Sequence, residues 1–396
     1  MYPSPIASAI TLALALAGTA HLTVMAETAP TNSSSSLNNI HNQCIVQMQS
    51  NLHADEVTGL AKNMLKRANM TLSNPAKLTH IYKHSIKGFT ITMPCSAAQK
   101  AFGDDVSVSS FTPDSIVSIS KGKPTNPGNG GGGGDTDNGV PQSTPWGINR
   151  VGGPVDGTGR TAWVLDTGID LNNADLNVDT SKGFSAFTKG KNAGMNDGHG
   201  HGTHVAGTIA AIDNSIDVVG VAAGATVVPV KVLDSRGSGS TSGVIAGIDH
   251  VAANATAGDC ANMSLGGGVS SSLDEAVRAA ASNGIFFVLA AGNSGAHASN
   301  HSPARANGAN IFTISATDSS DNMPSWSNWG NPPVDYAAPG VGISSLKRGG
   351  GVTTMSGTSM ASPAACGVIM MTGGQPNSDG SAGNDPDNNP DPIIHL

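Results

Sequence analysis

Charged and aromatic side chains are scarce in this chain of 396 residues: Asp, Glu, Lys and Arg make up 12% and Phe, Trp and Tyr 4%. The net charge is −8 and no cluster of Lys and Arg occurs, so we expect no nucleic-acid partner. Apart from a short apolar run near the N-terminus, no stretch is long and apolar enough to predict a membrane span. Gly is abundant instead, at 51 residues, which is typical of loop-rich extracellular proteins.

The N-terminal residues carry the signals of secretion. The apolar run covers residues 10–20, and Val24-Met25-Ala26 supplies small or aliphatic residues at a cleavage position. Only the terminal amine provides positive charge before the run, so a buried N-terminal helix or a lipid anchor stays open as an alternative. We interpret residues 1–26 as a signal peptide and expect an extracellular, secreted protein.

Only four cysteines occur, an even number that fits an oxidising compartment. Cys44 and Cys95 lie in the first third of the chain, and Cys260 and Cys366 lie in the remainder. Pairing within each set is the simplest arrangement. For the second pair, two buried thiols remain an alternative.

Residues 43–120 have the pattern of a small α+β domain. The expected order of elements is β-α-β-β-α-β, the ferredoxin-like arrangement. Its first and third strands are antiparallel neighbours, which brings Cys44 and Cys95 to the same end of the sheet. The expected elements are strands at 44–48, 80–82, 88–93 and 115–119 and helices near 55–68 and 96–102.

Residues 141–371 alternate Val- and Ala-rich strands with helices, which predicts a doubly wound, mostly parallel α/β sheet. The two flanking segments differ from this pattern. Residues 121–140 are rich in Pro, Gly and Asn and are interpreted as a cleavable linker, and the polar residues 372–396 are expected to be a disordered tail. The expected strands are 161–165, 226–233, 261–265, 285–290 and 311–316, and the expected helices are 203–211, 242–253, 273–282 and 359–371.

Three motifs place an aspartate, a histidine and a serine where catalysis needs them. Asp166 follows an apolar strand, at the end where catalytic groups collect in parallel sheets. His201 begins the helical segment HGTHVAG, and Ser359 begins another within SGTSMASP, where backbone N–H groups and the helix dipole favour an oxyanion. An imidazole can take the serine proton while a carboxylate holds its tautomer.

Two other hydrolase classes fit these residues less well. An α/β-hydrolase esterase needs its histidine after the serine, and only His395 follows Ser359. His199 and His201 form an H-x-H pair that would suit a metallohydrolase, but no further zinc ligands stand out. His204 lies on an otherwise apolar helix and is interpreted as structural.

With the order Asp, His, Ser, residues 141–371 resemble the subtilase family of subtilisin and proteinase K. The resemblance implies a secreted serine endopeptidase of broad specificity for peptide and protein substrates, acting through an acyl-enzyme on Ser359 with Asp166 and His201. Ala290-Ala291-Gly292-Asn293 is similar to the family's oxyanion-hole segment, which implies Asn293 as the side-chain donor.

Substrate contacts follow from the same resemblance. Two Gly-rich segments are similar to the edges between which the family holds an extended peptide as an added strand. Ser302-Pro303-Ala304 is similar to the segment beside the primary specificity pocket, whose small walls imply apolar or aromatic residues before the scissile bond. The implied edges are Gly237, Ser238 and Gly239 on one side and Ser264, Leu265 and Gly266 on the other.

The resemblance also implies a structural calcium ion and an inhibitor within the chain. Residues 43–120 are similar to the family's propeptide, which implies intramolecular inhibition until cleavage; we expect a monomer. Calcium takes six or more oxygen ligands. The implied ligands are the side chains of Gln142, Asp175 and Asn214 and the carbonyl groups of Ile212, Ile216 and Val218.

Two departures from the family pattern support a second hypothesis. Ala364-Ala365-Cys366 stands where the family usually has His-Val, and only 37 residues follow Ser359. A catalytically weak relative that acts as a binding or inhibitory module is therefore the alternative, and the intact triad argues against it.

Overall fold

The computed structural model describes residues 40–70, 72, 74–119 and 140–396. These residues belong to one unit, Ser36–Leu396. The signal peptide expected at 1–26 and residues 121–139 of the expected linker lie outside the described residues. Within the described ranges, no helix is both apolar and long enough to span a bilayer.

The N-terminal region folds with the expected ferredoxin-like order of elements. Its four strands form one antiparallel sheet in which the third strand lies between the first and the second, and the fourth pairs with the other side of the first. The helices bury apolar side chains that recur at helical spacing. The elements are β1 (Cys44–Met48), α1 (Ala54–Asn69), β2 (Leu78–Tyr82), β3 (Gly88–Ile91), α2 (Cys95–Phe102) and β4 (Val108–Pro113).

A strand forms within 115–119 as expected, but the prediction that it is the last strand of this sheet was wrong. β4 takes the edge position beside β1, and the following strand β5 (Ile116–Ser118) leaves the sheet to pair with the C-terminal region. Most residues of β4 are partly exposed, so its sequence lacks the apolar alternation that identifies a half-buried strand.

The C-terminal region contains a ten-stranded sheet in the described residues. Neighbouring strands of this sheet run parallel, which confirms the predicted fold class, except that one strand at the edge is antiparallel to its neighbour. The order is β20-β21-β17-β16-β15-β13-β7-β11-β8, with β9 also beside β11. The elements of this region are α3 (Trp146–Arg150), β6 (Val155–Asp156), β7 (Thr161–Asp166), β8 (Asn177–Val178), β9 (Phe184–Ser185), α4 (His201–Ala210), β10 (Ala222–Ala223), β11 (Thr226–Lys231), β12 (Ser238–Ser240), α5 (Thr241–Asn254), β13 (Cys260–Met263), β14 (Gly266–Gly267), α6 (Ser271–Ala281), β15 (Phe286–Ala290), β16 (Ile311–Thr317), β17 (Val334–Pro339), β18 (Ile343–Leu346), β19 (Val352–Met355), α7 (Thr358–Met371), β20 (Asn377–Ser381) and β21 (Pro392–His395), with single 3₁₀ turns at Ile40–Asn42, Gly190–Asn192 and Ala298–Asn300.

Helices cover both faces of this sheet because its strands alternate two sets of apolar side chains. In β7, Ala162 and Val164 pack with α4 and α7, whereas Trp163 and Leu165 pack with α5 and α6. The catalytic candidates at the ends of β7, α4 and α7 are therefore held by a core on each side of the sheet.

The polar tail is ordered, which corrects the expectation of disorder for residues 372–396. β21 pairs with β17 through Ile393 and Ala337, and β20 pairs with β21. Ile393 and Ile394 are fully buried. Two β-branched residues at the end of a polar segment are enough for a strand once a sheet edge is available, and the average composition hides them.

Both cysteine pairs form disulfide bonds, as the simplest pairing predicts. Cys44–Cys95 joins the start of β1 to the start of α2. Cys260–Cys366 joins β13 to α7, so that the helix carrying Ser359 is tied to the centre of the sheet.

Candidate active site

Asp166 and His201 form a buried pair. Asp166 ends β7 and His201 begins α4, and the imidazole Nδ1 lies 2.9 Å from each carboxylate oxygen. The two elements approach this closely because residue 202 is glycine: a Cβ there would collide with the carbonyl oxygen of Gly168. The carboxylate therefore fixes the ring so that Nε2 is available for proton transfer.

A second carboxylate, Asp197, positions the start of α4. It is buried and accepts hydrogen bonds from the backbone N–H groups of His199, Gly200 and Thr203 at 2.8, 2.8 and 3.0 Å and from the hydroxyl of Thr203 at 2.7 Å. It also accepts from the hydroxyl of Thr167 at 2.8 Å. Sequence reasoning missed this residue, although an acidic residue before an apolar helix is a recognisable capping signal.

These two carboxylates set the electrostatics of the histidine. Burial alone lowers the pKa of His201, but the charge of Asp166, its hydrogen bond and the charge of Asp197 outweigh burial and raise the pKa above 6.5. Burial and the neighbouring charge of His201 lower the pKa of His199. The imidazole of His201 is thus the stronger base of the two.

Ser359 lies in the first turn of α7, which packs against α4. The residue is 1% exposed. Its hydroxyl donates to the carbonyl oxygen of Ser264 at 3.3 Å, so its proton points at the end of β13 rather than at His201. Catalytic hydrogen bonds are often formed only when substrate is bound, and a serine hydroxyl can occupy other staggered rotamers.

Asn293 lies beside the start of α7. Its side-chain oxygen accepts the backbone N–H and the hydroxyl of Thr358, each at 2.9 Å. A Cβ at Gly357 would lie 3.0 Å from the Asn293 Nδ2 atom, so the amide group faces the turn that precedes Ser359. This arrangement fixes which end of the amide is a donor and presents it near the serine.

The two predicted peptide-binding edges are brought together around β5. Ser118 pairs with Ser238 of β12 on one side and with Gly266 of β14 on the other, and both pairings are antiparallel. The next residue, Ile119, donates its N–H to the carbonyl of Gly237 at 3.0 Å. An extended segment of the chain therefore occupies the groove as a central strand, through main-chain hydrogen bonds.

A cavity of about 430 Å³ opens beside this strand. Glycine and alanine make up half of its lining residues, and most of the others are polar; among these, the hydroxyl of Ser294 lies 3.1 Å from His301 Nε2. Asn293 and Ala304 both line it, so the oxyanion candidate and the segment predicted for the specificity pocket meet at one cavity.

Comparison with known proteins settles the family. Residues 157–376 match the model of the Subtilase family. The chain is 38% identical over 315 residues to the Subtilisin-like serine protease AsES of Sarocladium strictum, a match that covers 75% of this chain and 73% of that protein. The chain belongs to the subtilase family.

Two further proteins are similar to this subtilase. Alkaline serine exoprotease A of Vibrio alginolyticus is 46% identical over 237 residues, which are 57% of this chain and 42% of that protein. The chain therefore spans less than half the length of this relative. A solved structure of a cold adapted subtilisin-like serine proteinase matches with a TM-score of 0.57 and 39% identity, over 63% of this chain and 97% of that one.

The side chains predicted to hold calcium in this subtilase lie together. Asn214 donates to Asp175 Oδ1 at 2.6 Å, and the side-chain oxygen of Gln142 accepts the backbone N–H of Asn214 at 2.6 Å. The loop with the predicted carbonyl ligands runs alongside, since Ile216 pairs with Pro141 and Val218 pairs with Ser143. Ile212 donates its N–H to the carbonyl of Asp175 at 3.1 Å.

The fit of these residues to a cation rests on Asp175. Its Oδ2 atom is buried and has no hydrogen-bond partner. Burial raises the pKa of Asp175 to about 6. An unpaired buried carboxylate oxygen is unfavourable unless a cation or a proton satisfies it, so the donor set fits a hard cation.

The other histidines of the subtilase motif have structural surroundings. His204 Nε2 lies 3.0 Å from the carbonyl oxygen of Ile343, and burial lowers the pKa of His204 to about 3. The ring of His204 is therefore held by the backbone at the start of β18.

Proposed function

We propose that this subtilase is a secreted serine endopeptidase that hydrolyses peptide bonds through an acyl-enzyme on Ser359. One observation carries the proposal: an extended segment of the chain, Ile116–Ser118, lies between the two predicted peptide-binding edges, and the second edge includes Ser264, whose carbonyl oxygen accepts the hydroxyl of Ser359. Secretion is supported by the two disulfide bonds and by the N-terminal apolar run.

The roles of the catalytic residues follow from their positions. Once the Ser359 hydroxyl turns to His201 Nε2, the imidazole takes its proton as the oxygen attacks the substrate carbonyl, and Asp166 stabilises the imidazolium. The oxyanion is held by the Asn293 amide and by the N–H of Ser359 at the start of α7. His201 then gives the proton to the leaving amine, and water releases the acyl group by the same steps in reverse.

Substrate recognition is expected to be broad. The contacts of β5 with β12 and β14 are main-chain hydrogen bonds, which do not read side chains. The cavity beside Ala304 and Asn293 has small walls and room for a large side chain. We therefore infer a preference for apolar or aromatic residues before the scissile bond.

The N-terminal domain acts as an intramolecular inhibitor in this proposal, because its own strand β5 fills the substrate groove. Its docking is supported by polar contacts at the start of α5. The Asp114 carboxylate accepts the N–H of Ser242 at 3.0 Å and its hydroxyl at 2.6 Å. Asp249, farther along α5, accepts the N–H groups of Lys83, His84 and Ser85 at 2.7–3.0 Å.

Calcium has a structural role in the proposal. The side chains of Gln142, Asp175 and Asn214 would hold the ion, with the carbonyl groups of Ile212, Ile216 and Val218. A bound cation would fasten the loop 212–218 to the segment 140–143 and supply no catalytic chemistry.

The alternative of a catalytically weak binding module is not favoured. It rested on the short polar stretch after Ser359, and those residues pair in the central sheet. The relatives matched are named as proteases.

The decisive experiment compares the full chain with its Ser359→Ala variant. We expect the wild-type chain to separate its N-terminal domain and then digest an unstructured protein such as casein, while the variant stays full-length and inert with the same thermal unfolding midpoint. If both forms stay inert although folded, the peptidase proposal is wrong and the binding module replaces it.

A further inference from the structure

Helix α7 carries a proline in its interior, four residues after the serine. Pro363 has no backbone N–H, so the carbonyl oxygen of Ser359 lacks the donor that an α-helix normally provides at this position. The region is fully buried, and a buried carbonyl without a donor is unfavourable. The first turn of the helix would be loosely held at the residue that has to react.

The missing donor is replaced by a side chain from the sheet. The hydroxyl of Ser264, at the end of β13, donates to the carbonyl oxygen of Ser359 at 2.9 Å. A hydroxyl has one proton to give, so its contacts at 2.9 Å with the amide of Asn262 and the hydroxyl of Ser362 are ones in which Ser264 accepts. The proton of Ser264 is thereby committed to Ser359.

The two serines also make the reverse contact. Ser359 donates its hydroxyl to the carbonyl oxygen of Ser264 at 3.3 Å. Ser264 therefore holds the main chain of Ser359 and receives its side chain, whereas the neighbouring peptide-binding contacts come from the backbone of Gly266. The hydroxyl of Ser264 is not needed for those backbone contacts.

We propose that Ser264 is a positioning residue: its hydroxyl substitutes for the N–H that Pro363 lacks and fixes the helix turn that presents Ser359. This inference rests on the proposed role of Ser359 as nucleophile. Removing the hydroxyl leaves the substrate groove intact but loosens the attacking oxygen. The effect is therefore expected on turnover rather than on substrate binding.

The test is a double-mutant cycle. Ser264→Ala is expected to lower kcat by about tenfold or more, with KM changed by less than about threefold. Pro363→Ala restores a backbone N–H that can donate to the Ser359 carbonyl, so Ser264→Ala should cost much less in that background. Ser362→Ala, which removes an equally buried hydroxyl from the same cluster, is the matched control and should keep kcat near the wild-type value.

Two results would overturn the inference. One is an equal loss of kcat when Ser264→Ala is introduced into the wild-type chain and into Pro363→Ala. The other is a loss of kcat/KM in Ser264→Ala that comes entirely from a rise in KM. If Ser264→Ala does not fold, Ser264→Cys, which keeps a weak donor, should give an intermediate kcat; wild-type turnover in that variant would also contradict the inference. The four chains of the cycle (the parent, Ser264→Ala, Pro363→Ala and the double variant) are also unfolded thermally in the Ser359→Ala background, which has no activity. There, Ser264→Ala must lower the Tm less when Pro363 is replaced by Ala than when it is present.

The two proposals fail in different ways. Activity that survives Ser359→Ala refutes the nucleophile and with it the role of Ser264 in catalysis. Activity that is lost in Ser359→Ala but unchanged in Ser264→Ala refutes only the positioning role.

Discussion

Asn293 accepts two hydrogen bonds from Thr358 on one side-chain oxygen, from its N–H and from its hydroxyl, each at 2.9 Å. If the oxygen and nitrogen of the amide exchanged places, the oxygen could no longer accept these two hydrogen bonds. The two contacts therefore determine that the NH₂ group faces Gly357, in the turn before Ser359. The orientation of the proposed oxyanion donor is thus set by the residue that precedes the nucleophile.

Replacing Asn293 by Ala is expected to lower kcat by about 10²- to 10³-fold with little change in KM, because the donor acts on charge that develops in the transition state. Thr358→Val removes the hydroxyl contact with Asn293, together with the one that accepts the Gly292 N–H, and keeps the backbone contact, so it should give a smaller loss in the same direction. Steady-state kinetics on one peptide substrate measures both. A change confined to KM in either variant would contradict the role of Asn293.

The pH dependence should follow His201. Because its pKa is raised above 6.5 and the base must be neutral, kcat/KM is expected to fall as the pH drops through that raised pKa. Asp197→Asn removes one of the charges that raise it, so the acid limb of the profile should shift to lower pH. An exposed carboxylate change, Asp156→Asn, should leave the limb in place; an unshifted limb in Asp197→Asn would contradict the electrostatic account.

Loss of the carboxylate at Asp114 should weaken inhibition by the N-terminal domain. Asp114→Asn removes a charge from the N-terminal end of α5, where it accepts from both donors of Ser242. We expect the lag before full peptidase activity to shorten, with about a tenfold loss of affinity between the separated domains. Asp104→Asn, an exposed change in the same domain, is the control and should keep the wild-type lag.

Calcium removal should destabilise the folded chain. A ligand at a hundred times its Kd adds about 2.7 kcal/mol to the free energy of unfolding, so chelation should lower the Tm. Asp175→Asn should abolish most of the calcium-dependent shift of Tm, and Asp156→Asn should retain it. The measurement uses the Ser359→Ala background so that autolysis does not affect Tm; an identical calcium response in both variants would refute the site.

The parts of the fold and of the site that could be predicted are those specified by residues close together in the sequence. Asp166, His201 and Ser359 stand in contiguous motifs at element boundaries, and the sheet that carries them has strongly apolar strands, so motif and fold were both predictable. The disulfide pairing of Cys260 with Cys366 was left open because it depends on the packing of α7 against β13.

Features that depend on tertiary pairing were missed. Asp197 makes four local contacts at the start of α4, and its fifth, with the Thr167 hydroxyl just after β7, forms only when the two elements meet. The strand Ile116–Ser118 was expected in the N-terminal sheet and instead pairs with β12 and β14 in the proposed substrate groove. The C-terminal strand at Ile393 forms only against the free edge of β17.

The central claim is that Ser359 is a nucleophile activated by His201. The most direct measurement is to treat the chain with a fluorophosphonate, which modifies activated serine hydroxyls, and to locate the adduct by mass spectrometry with fragmentation of the peptide that contains residues 356–362. The account predicts one adduct, on Ser359, that is absent from Ser359→Ala and strongly reduced in His201→Ala. An adduct on another residue, or labelling of Ser359 at the same rate without His201, would contradict it.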